Sequence, residues 1–438
     1  MCTPICHSLR KWAQMFHRRL SAVALVAVGA LAVTTMSAPS SVAADADHAE
    51  ASSTNRDTGE YWATVIVQLE ESSGDHASRY ADVKKRIGEA VAQVSPGATI
   101  QDVRDYHHVF EGFAIKVPTG SHDYRPEVPA ATMTAIKGVQ GVKGAFVEGR
   151  HEPVTDPDFW DMRDHSTDSS PDRGTASRMT GAAAASQRGQ GQVIEVIDVG
   201  VDTSHEAFAG SLDAASARLT RQAMTSLAPS LGAGKDGAWV SDKIPFAYDY
   251  GDGDTDATTG NASSRASEQG THVASLATAN GTSFTGAAPG AQLVVAKVTS
   301  DGTYTAYDTA LLAALDDAAV IKPDALTVSF STLEGMSSDS VALYSQVYQR
   351  LTEAGVVVNA PAGNDGNSSY GTDPDTGLLG FPAFYSSTLA VASVNEQDAA
   401  DLGTGAITVS DFSGTGATYD LRLKPEVAAP GGEVMAAS

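Results

Sequence analysis

The chain has 438 residues and a formal net charge of −24 at pH 7, from 29 Lys and Arg against 53 Asp and Glu. That length holds more than one folded unit. The acidity argues against a nucleic-acid partner, which needs a basic face.

Residues 1–44 have the three parts of a secretory signal peptide. Arg10, Lys11, Arg18 and Arg19 form the basic region, and Leu20 to Met36 the apolar run. Small residues follow, with Ser41-Val42-Ala43 or a neighbouring triplet at the cleavage point. Met15 is an alternative start. The apolar run is short for a spanning helix, so no membrane span is expected after cleavage. The mature chain is then secreted. Cys2 and Cys6 both precede the cut, so no disulfide is expected to hold the mature fold.

Residues 45–59 are small and polar and read as a linker. From 60 to 155 the pattern predicts a small α+β domain. Its strands are expected at 62–69, 109–118 and 142–147, with helices at 80–94 and 130–136. In the first helix Val83, Ile87, Val91 and Val94 share one side. Residues 156–187, rich in Asp, Ser, Arg and Ala, read as an exposed linker.

From 188 to 438 strands and helices alternate. Strands are expected at 193–199, 293–298, 325–330, 356–359 and 389–394, and helices at 271–279, 307–320 and 340–354. Ala310, Leu311, Ala314, Leu315 and Ala318 form one apolar helix face. Continuous apolar strands separated by helices imply an α/β unit with a parallel sheet covered on both sides.

Several segments carry chemistry. Val196-Ile197-Asp198-Val199-Gly200-Val201-Asp202 puts a carboxylate at the end of a parallel strand, where active sites form. Glu195 lies on the same strand, where a buried, unpaired carboxylate costs several kcal/mol or stays protonated; the alternative is that it reaches solvent or a partner. Ser267-Glu268-Gln269-Gly270-Thr271-His272-Val273-Ala274 should open a helix. Pro361-Ala362-Gly363-Asn364-Asp365-Gly366-Asn367 follows a strand. Asp252-Gly253-Asp254-Thr255-Asp256 hints at a structural calcium, but it lacks the later glycine and the closing glutamate of a calcium loop. It reads better as a solvated acidic loop.

In this order the segments resemble the subtilisin family (subtilases) of serine proteases. Asp198 matches the aspartate that orients the catalytic imidazole, and Asn364 the amide of the oxyanion hole. Asp324-Ala325-Leu326-Thr327-Val328-Ser329-Phe330-Ser331 matches the segment that pairs with substrate, which implies substrate binding by Ser329, Phe330 and Ser331. Leu421-Arg422-Leu423-Lys424-Pro425-Glu426-Val427-Ala428-Ala429-Pro430-Gly431-Gly432 and Lys243 to Tyr250 resemble the cell-envelope proteinase (lactocepin-like) branch. Ile66-Val67-Gln68-Leu69 and Val109-Phe110-Glu111-Gly112-Phe113 resemble the inhibitory propeptide of the family. The resemblance thus implies a subtilisin-like three-layer parallel sheet preceded by an α+β propeptide domain. It also implies an activation linker, a secreted or cell-envelope location, protein or peptide substrates, the propeptide as a partner, and no metal or cofactor in the chemistry.

The departures bear on activity. Gln269 stands where the family has its catalytic histidine, and an amide is no base near neutral pH. His272 lies about 60° round the helix and about 4.5 Å along it, too far to substitute when catalysis tolerates about 1 Å. It reads as a buried histidine bonded to backbone. Val199, Thr327 and Ser331 replace the family's Thr or Ser, Asn and Gly, and Glu195 replaces a small residue. The Gly-Thr-Ser-Met-Ala nucleophile segment is absent from the 438 residues, so the sheet is expected to be C-terminally incomplete. The expectation is therefore an endopeptidase by family that is inactive as written. The alternatives are a pseudoprotease binding peptide or its own propeptide, and a pseudogene fragment without function.

Overall fold

The computed structural model describes residues 61–119, 127–151, 175–232, 235, 238–258, 268–282, 284–301, 305–331, 336–364, 366, 379–395, 406–418, 420–432, 434 and 436–437. The signal peptide, the 45–59 linker and residues 156–174 of the second linker lie outside the described residues. Residues 175–187 of that linker contain a short helix, α3 (Thr175–Met179).

The first unit runs β1 (Tyr61–Leu69), α1 (His76–Val94), β2 (Gln101–Tyr106), β3 (Gly112–Thr119), α2 (Ala130–Lys137) and β4 (Val142–Val147), followed by the two-residue β5 (Arg150–His151). The four strands β1 to β4 form an antiparallel sheet in the order β2-β3-β1-β4. Alternation along β1 divides its side chains between two cores. Ala63, Val65, Val67 and Leu69 pack with Val83, Ile87 and Val91 of α1. Ile66 points the other way, into the core of the second unit. Both faces are thus buried, which explains the unbroken apolar run. Helix α1 starts four residues before the expected Tyr80 because the Asp75 side chain accepts from the amides of Ala77 and Ser78, capping its N-terminus. The strand expected at 109–118 begins only at Gly112, because residues 107–111 bend to meet the second unit.

That second unit contains β6 (Val193–Asp198), α4 (Arg221–Leu227), β7 (Phe246–Asp249), α5 (Gln269–Thr278), β8 (Gln292–Lys297), β9 (Ala306–Tyr307), α6 (Asp308–Ile321), β10 (Ala325–Val328), α7 (Ser338–Glu353), β11 (Val357–Pro361), β12 (Leu389–Asn395) and β13 (Val427–Gly432). Among the described residues, seven strands make one sheet in the order β13-β12-β11-β10-β6-β8-β7. Every neighbouring pair is parallel. Strand β6, the first of these seven in sequence, lies inside the sheet, with β8 on one side and β10 on the other. The strand order reverses there, and a crevice opens beyond the carboxyl ends at such a point.

The two faces of the sheet have separate cores. Val193 and Ile197 pack with Leu311, Leu315, Tyr344 and Tyr348 of α6 and α7. Ile194 and Val196 pack with Val273, Ala274 and Ala277 of α5. Among the described residues no helix is long and apolar enough to cross a membrane.

The first unit lies over α6 and α7. Asp316 accepts from the backbone amides of His107 (3.1 Å), His108 (2.7 Å) and Val109 (2.8 Å). Lys137 pairs with Asp339 at 2.7 Å, and Gln346 accepts from Gln68 at 3.0 Å and Lys143 at 2.8 Å. Helix α6, expected to bury one face, is consequently buried on nearly all sides, Asp316 and Asp317 included. Replacing Asp316 with Ala removes the shared acceptor of three amides and should destabilise the docked first unit by about 2–4 kcal/mol. Asp316→Asn should cost roughly half as much. Denaturant unfolding and protease susceptibility of residues 61–151 would measure this; an unchanged midpoint for Asp316→Ala would contradict it.

Candidate active site

Asp198 ends β6 and is buried, one strand terminus inside the crevice. Its Oδ1 accepts from the Val199 amide at 2.7 Å, whereas Oδ2 has no hydrogen-bond partner among the described residues. Burial pushes its pKa up to about 7, opposed by the Val199 amide and by the Ser329 hydroxyl.

After Asp198 the chain must turn sharply. Gly200 does so at φ +128°, a region closed to most side chains. The loop is then tied to α5, because the Asp202 amide donates to Thr271 Oγ1 at 2.9 Å. The head of α5 presses directly on this loop. A methyl group at Gly270 would sit 1.9 Å from the Gly200 carbonyl oxygen and 3.2 Å from Asp198 Cβ. Only glycine allows so close an approach.

This contact places Gln269, the first residue of α5, beside Asp198 and opposite the end of β10. Its Nε2 donates to Ser329 Oγ at 3.2 Å and, more weakly, to the Ser329 carbonyl at 3.4 Å. The amide therefore works as a donor, bridged through Ser329 to the surroundings of Asp198. His272 is buried one turn further along; burial pulls its pKa down to about 4 against a hydrogen bond with the Val434 backbone. It stays neutral and within the packed helix.

Asn364 lies three residues beyond β11, on the same carboxyl edge of the sheet. Gly363, at φ +102°, turns the chain there, and its carbonyl accepts from the Gly414 amide at 2.6 Å. Both polar atoms of the Asn364 side chain are buried without a hydrogen-bond partner among the described residues. Asp365 and Asn367 lie outside the described residues. Strand β10 stops at Val328, two residues before the expected end, so Ser329, Phe330 and Ser331 form the loop at its tip. The Phe330 side chain points into the core. Ser331 Oγ is buried with no hydrogen-bond partner among the described residues.

Glu195 takes the first of its two expected forms. It is buried on the central strand, Oε2 has no hydrogen-bond partner among the described residues, and burial followed by the charge of Asp317 pushes its pKa well above the usual range. Among the described residues, Asp252 is the one carboxylate of the acidic loop that joins a cluster, with Asp249 and Asp301. The Lys297 ammonium already contacts Asp249 at 2.5 Å and also Asp301. Asp254 and Asp256 instead accept from backbone amides of their own loop. A resident cation would have to displace a buried ammonium.

The assembled geometry is a crevice at the carboxyl edge of a parallel α/β sheet. It has a carboxylate at the topological switch point, a helix head against it, and a buried amide on the neighbouring edge. Residues 189–438 match the family model described as Peptidase_S8, the subtilase family, and the chain belongs to that family. The PII-type proteinase of Lactococcus lactis subsp. cremoris is 30% identical over 256 residues, covering 55% of this chain and 13% of that protein. The C5a peptidase of Streptococcus pyogenes is 30% identical over 222 residues, 47% of this chain and 18% of the relative. The chain thus spans under a fifth of either relative. Among solved structures, the epidermin leader peptide processing serine protease of Staphylococcus aureus aligns at 14% identity with a TM-score of 0.48. That alignment covers 84% of this chain and 74% of that one.

A carboxyl whose pKa rises from 3.8 in the unfolded chain to about 7 in the fold binds its proton more tightly when folded. Its contribution to stability is full at low pH and declines as pH climbs through that window. Asp198→Asn should therefore gain on the unmodified protein between about pH 5 and about pH 8. Denaturant midpoints at both pH values test this; an equal difference at both would assign the titration elsewhere.

Proposed function

We propose that residues 188–438 form a subtilisin-like serine endopeptidase domain, that residues 60–155 are its propeptide, and that the protein is exported to the cell exterior or envelope. We further propose that this chain does not itself hydrolyse peptide bonds, because Gln269 fills the position of the general base. The observation that carries this reading is the Gln269 amide at the head of α5, donating to Ser329 beside the buried Asp198. In triads of this type the base takes the proton of the attacking hydroxyl. A carboxamide cannot, and loss of the base alone costs about six orders of magnitude in turnover.

The propeptide assignment is supported by the way the first unit covers α6 and α7 through Asp316, Asp339 and Gln346. Export is supported by the basic, apolar and small-residue pattern of residues 1–44. A second reading, a peptide-binding protein without hydrolysis, is favoured by one observation. β5, at the end of the first unit, is seated as an added strand on β9, so strand addition does not depend on the base.

The purified full chain is expected to leave a casein-like protein intact and to keep residues 60–155 covalently joined to the rest. Intact mass over a long incubation measures both. Turnover, or efficient cutting in the 156–187 linker by the pure chain, would overturn the loss of activity.

A further inference from the structure

The end of the first unit fills a built pocket. Strand β5 pairs antiparallel with β9, Arg150 opposite Tyr307 and His151 opposite Ala306. Ala306 also bridges Thr299, whose hydroxyl donates to the Val199 carbonyl at 3.2 Å; the neighbouring Val298 amide donates to the Asp198 carbonyl at 3.1 Å. A segment lying on β9 is therefore continuous with the loop that carries Asp198.

The side chain of His151 is almost fully enclosed. Its Nε2 lies 2.8 Å from Asp308 Oδ1, and both side chains are no more than 3% exposed. The ring stacks on Phe381 with centroids 4.9 Å apart and planes at 20°, and it meets Tyr344 edge-on. Asp308 Oδ1 also accepts from the Tyr344 hydroxyl, and Oδ2 accepts from the Gly149 amide at 2.6 Å. Two of these three donors belong to residues 149–151; without them the buried carboxylate keeps the Tyr344 hydroxyl alone. Burial pushes the Asp308 pKa up, but the bonds from His151, Tyr344 and Gly149 outweigh it and hold the carboxyl below its usual range.

The chemistry of the slot follows. It is flat, walled by aromatic rings, and floored by a carboxylate that is expensive to leave unpaired. A planar side chain that donates N–H satisfies both features, as imidazole and guanidinium do. An aliphatic side chain of similar volume fills the space and strands the charge.

We propose that Asp308, with Tyr344 and Phe381, is a specificity-determining pocket beside β9 that selects extended peptides carrying histidine or arginine, and that His151 occupies it in cis. This deepens the reading of the domain as a peptide-cleaving scaffold and rests on it.

The test uses the full chain with His151→Ala, which vacates the slot. Labelled peptides spanning residues 147–152, with histidine, arginine or leucine at the position of His151, are titrated by fluorescence anisotropy. Concentrations reach about the millimolar range, where a free peptide competes with a tethered segment. The histidine and arginine peptides should bind about tenfold or more tighter than the leucine peptide, and adding Asp308→Asn should abolish the difference. The proposal is overturned if leucine binds as well, if the preference survives Asp308→Asn, or if no peptide binds. Should the double variant fail to fold, the three peptides on His151→Ala alone decide. Binding is read without hydrolysis, so absence or presence of peptide-bond cleavage bears on the proposed function and leaves this outcome separate.

Discussion

The contact between Gly270 and Gly200 governs the site. It lets the head of α5 rest on the carboxyl end of β6 with no side chain between them, and it fixes residue 269 against the terminus of the neighbouring strand β10. A larger residue at either glycine would lift the helix from the sheet or close the turn after Asp198. The Asp202 to Thr271 hydrogen bond locks the same approach from the far side of the loop. Position along this helix therefore counts in single residues: Gln269 faces the crevice, and His272, one turn on, faces the packed interior.

Burial of acids is the second theme, and the molecule treats each one differently. Asp316 and Asp308 are satisfied by donors from the first unit. Glu195 is left on the central strand with Asp317 as a neighbour and, among the described residues, no hydrogen-bond partner for Oε2. Asp198 falls between, with one backbone amide. Fully satisfied polar groups rigidify an interface, while partly satisfied ones store a penalty in the fold. The surfaces of α6 and α7 that meet the first unit belong to the former class, so the two units hold each other by charge satisfaction as well as by the shared apolar core.

Much of this was legible in the sequence, for a physical reason. Strands of a parallel sheet are covered on both faces and appear as unbroken apolar runs, which exposes β6, β8, β10, β11 and β12. Strand β2 escapes because it is an edge, with Gln101, Asp102 and Val103 exposed. β7 is four residues long, and β13 carries Pro430 and two glycines. Family resemblance singled out Asp198, Gln269 and Asn364, and the structure sets all three on the carboxyl edge. It did not reveal that the Ser329 hydroxyl receives the Gln269 amide, 60 positions away in sequence, or that His151 pairs with Asp308 across 157. Such contacts depend on how the units dock and leave no periodic trace.

The replacement of imidazole by carboxamide has an electrostatic counterpart at Asp198. In a working triad the charged aspartate accepts the imidazole N–H and stabilises the imidazolium that forms beside it. A carboxamide offers dipoles but no charge, and here its N–H groups turn to Ser329 instead. Burial then outweighs the Val199 amide and the Ser329 hydroxyl, and the Asp198 carboxyl rises to about 7, where it is partly protonated at neutral pH. On the proposal of a lost base, a carboxyl that would orient a cation is instead about half protonated at neutral pH at the end of β6. Restoring an imidazole at position 269 would thus change two residues at once, because each member of the pair sets the charge of the other.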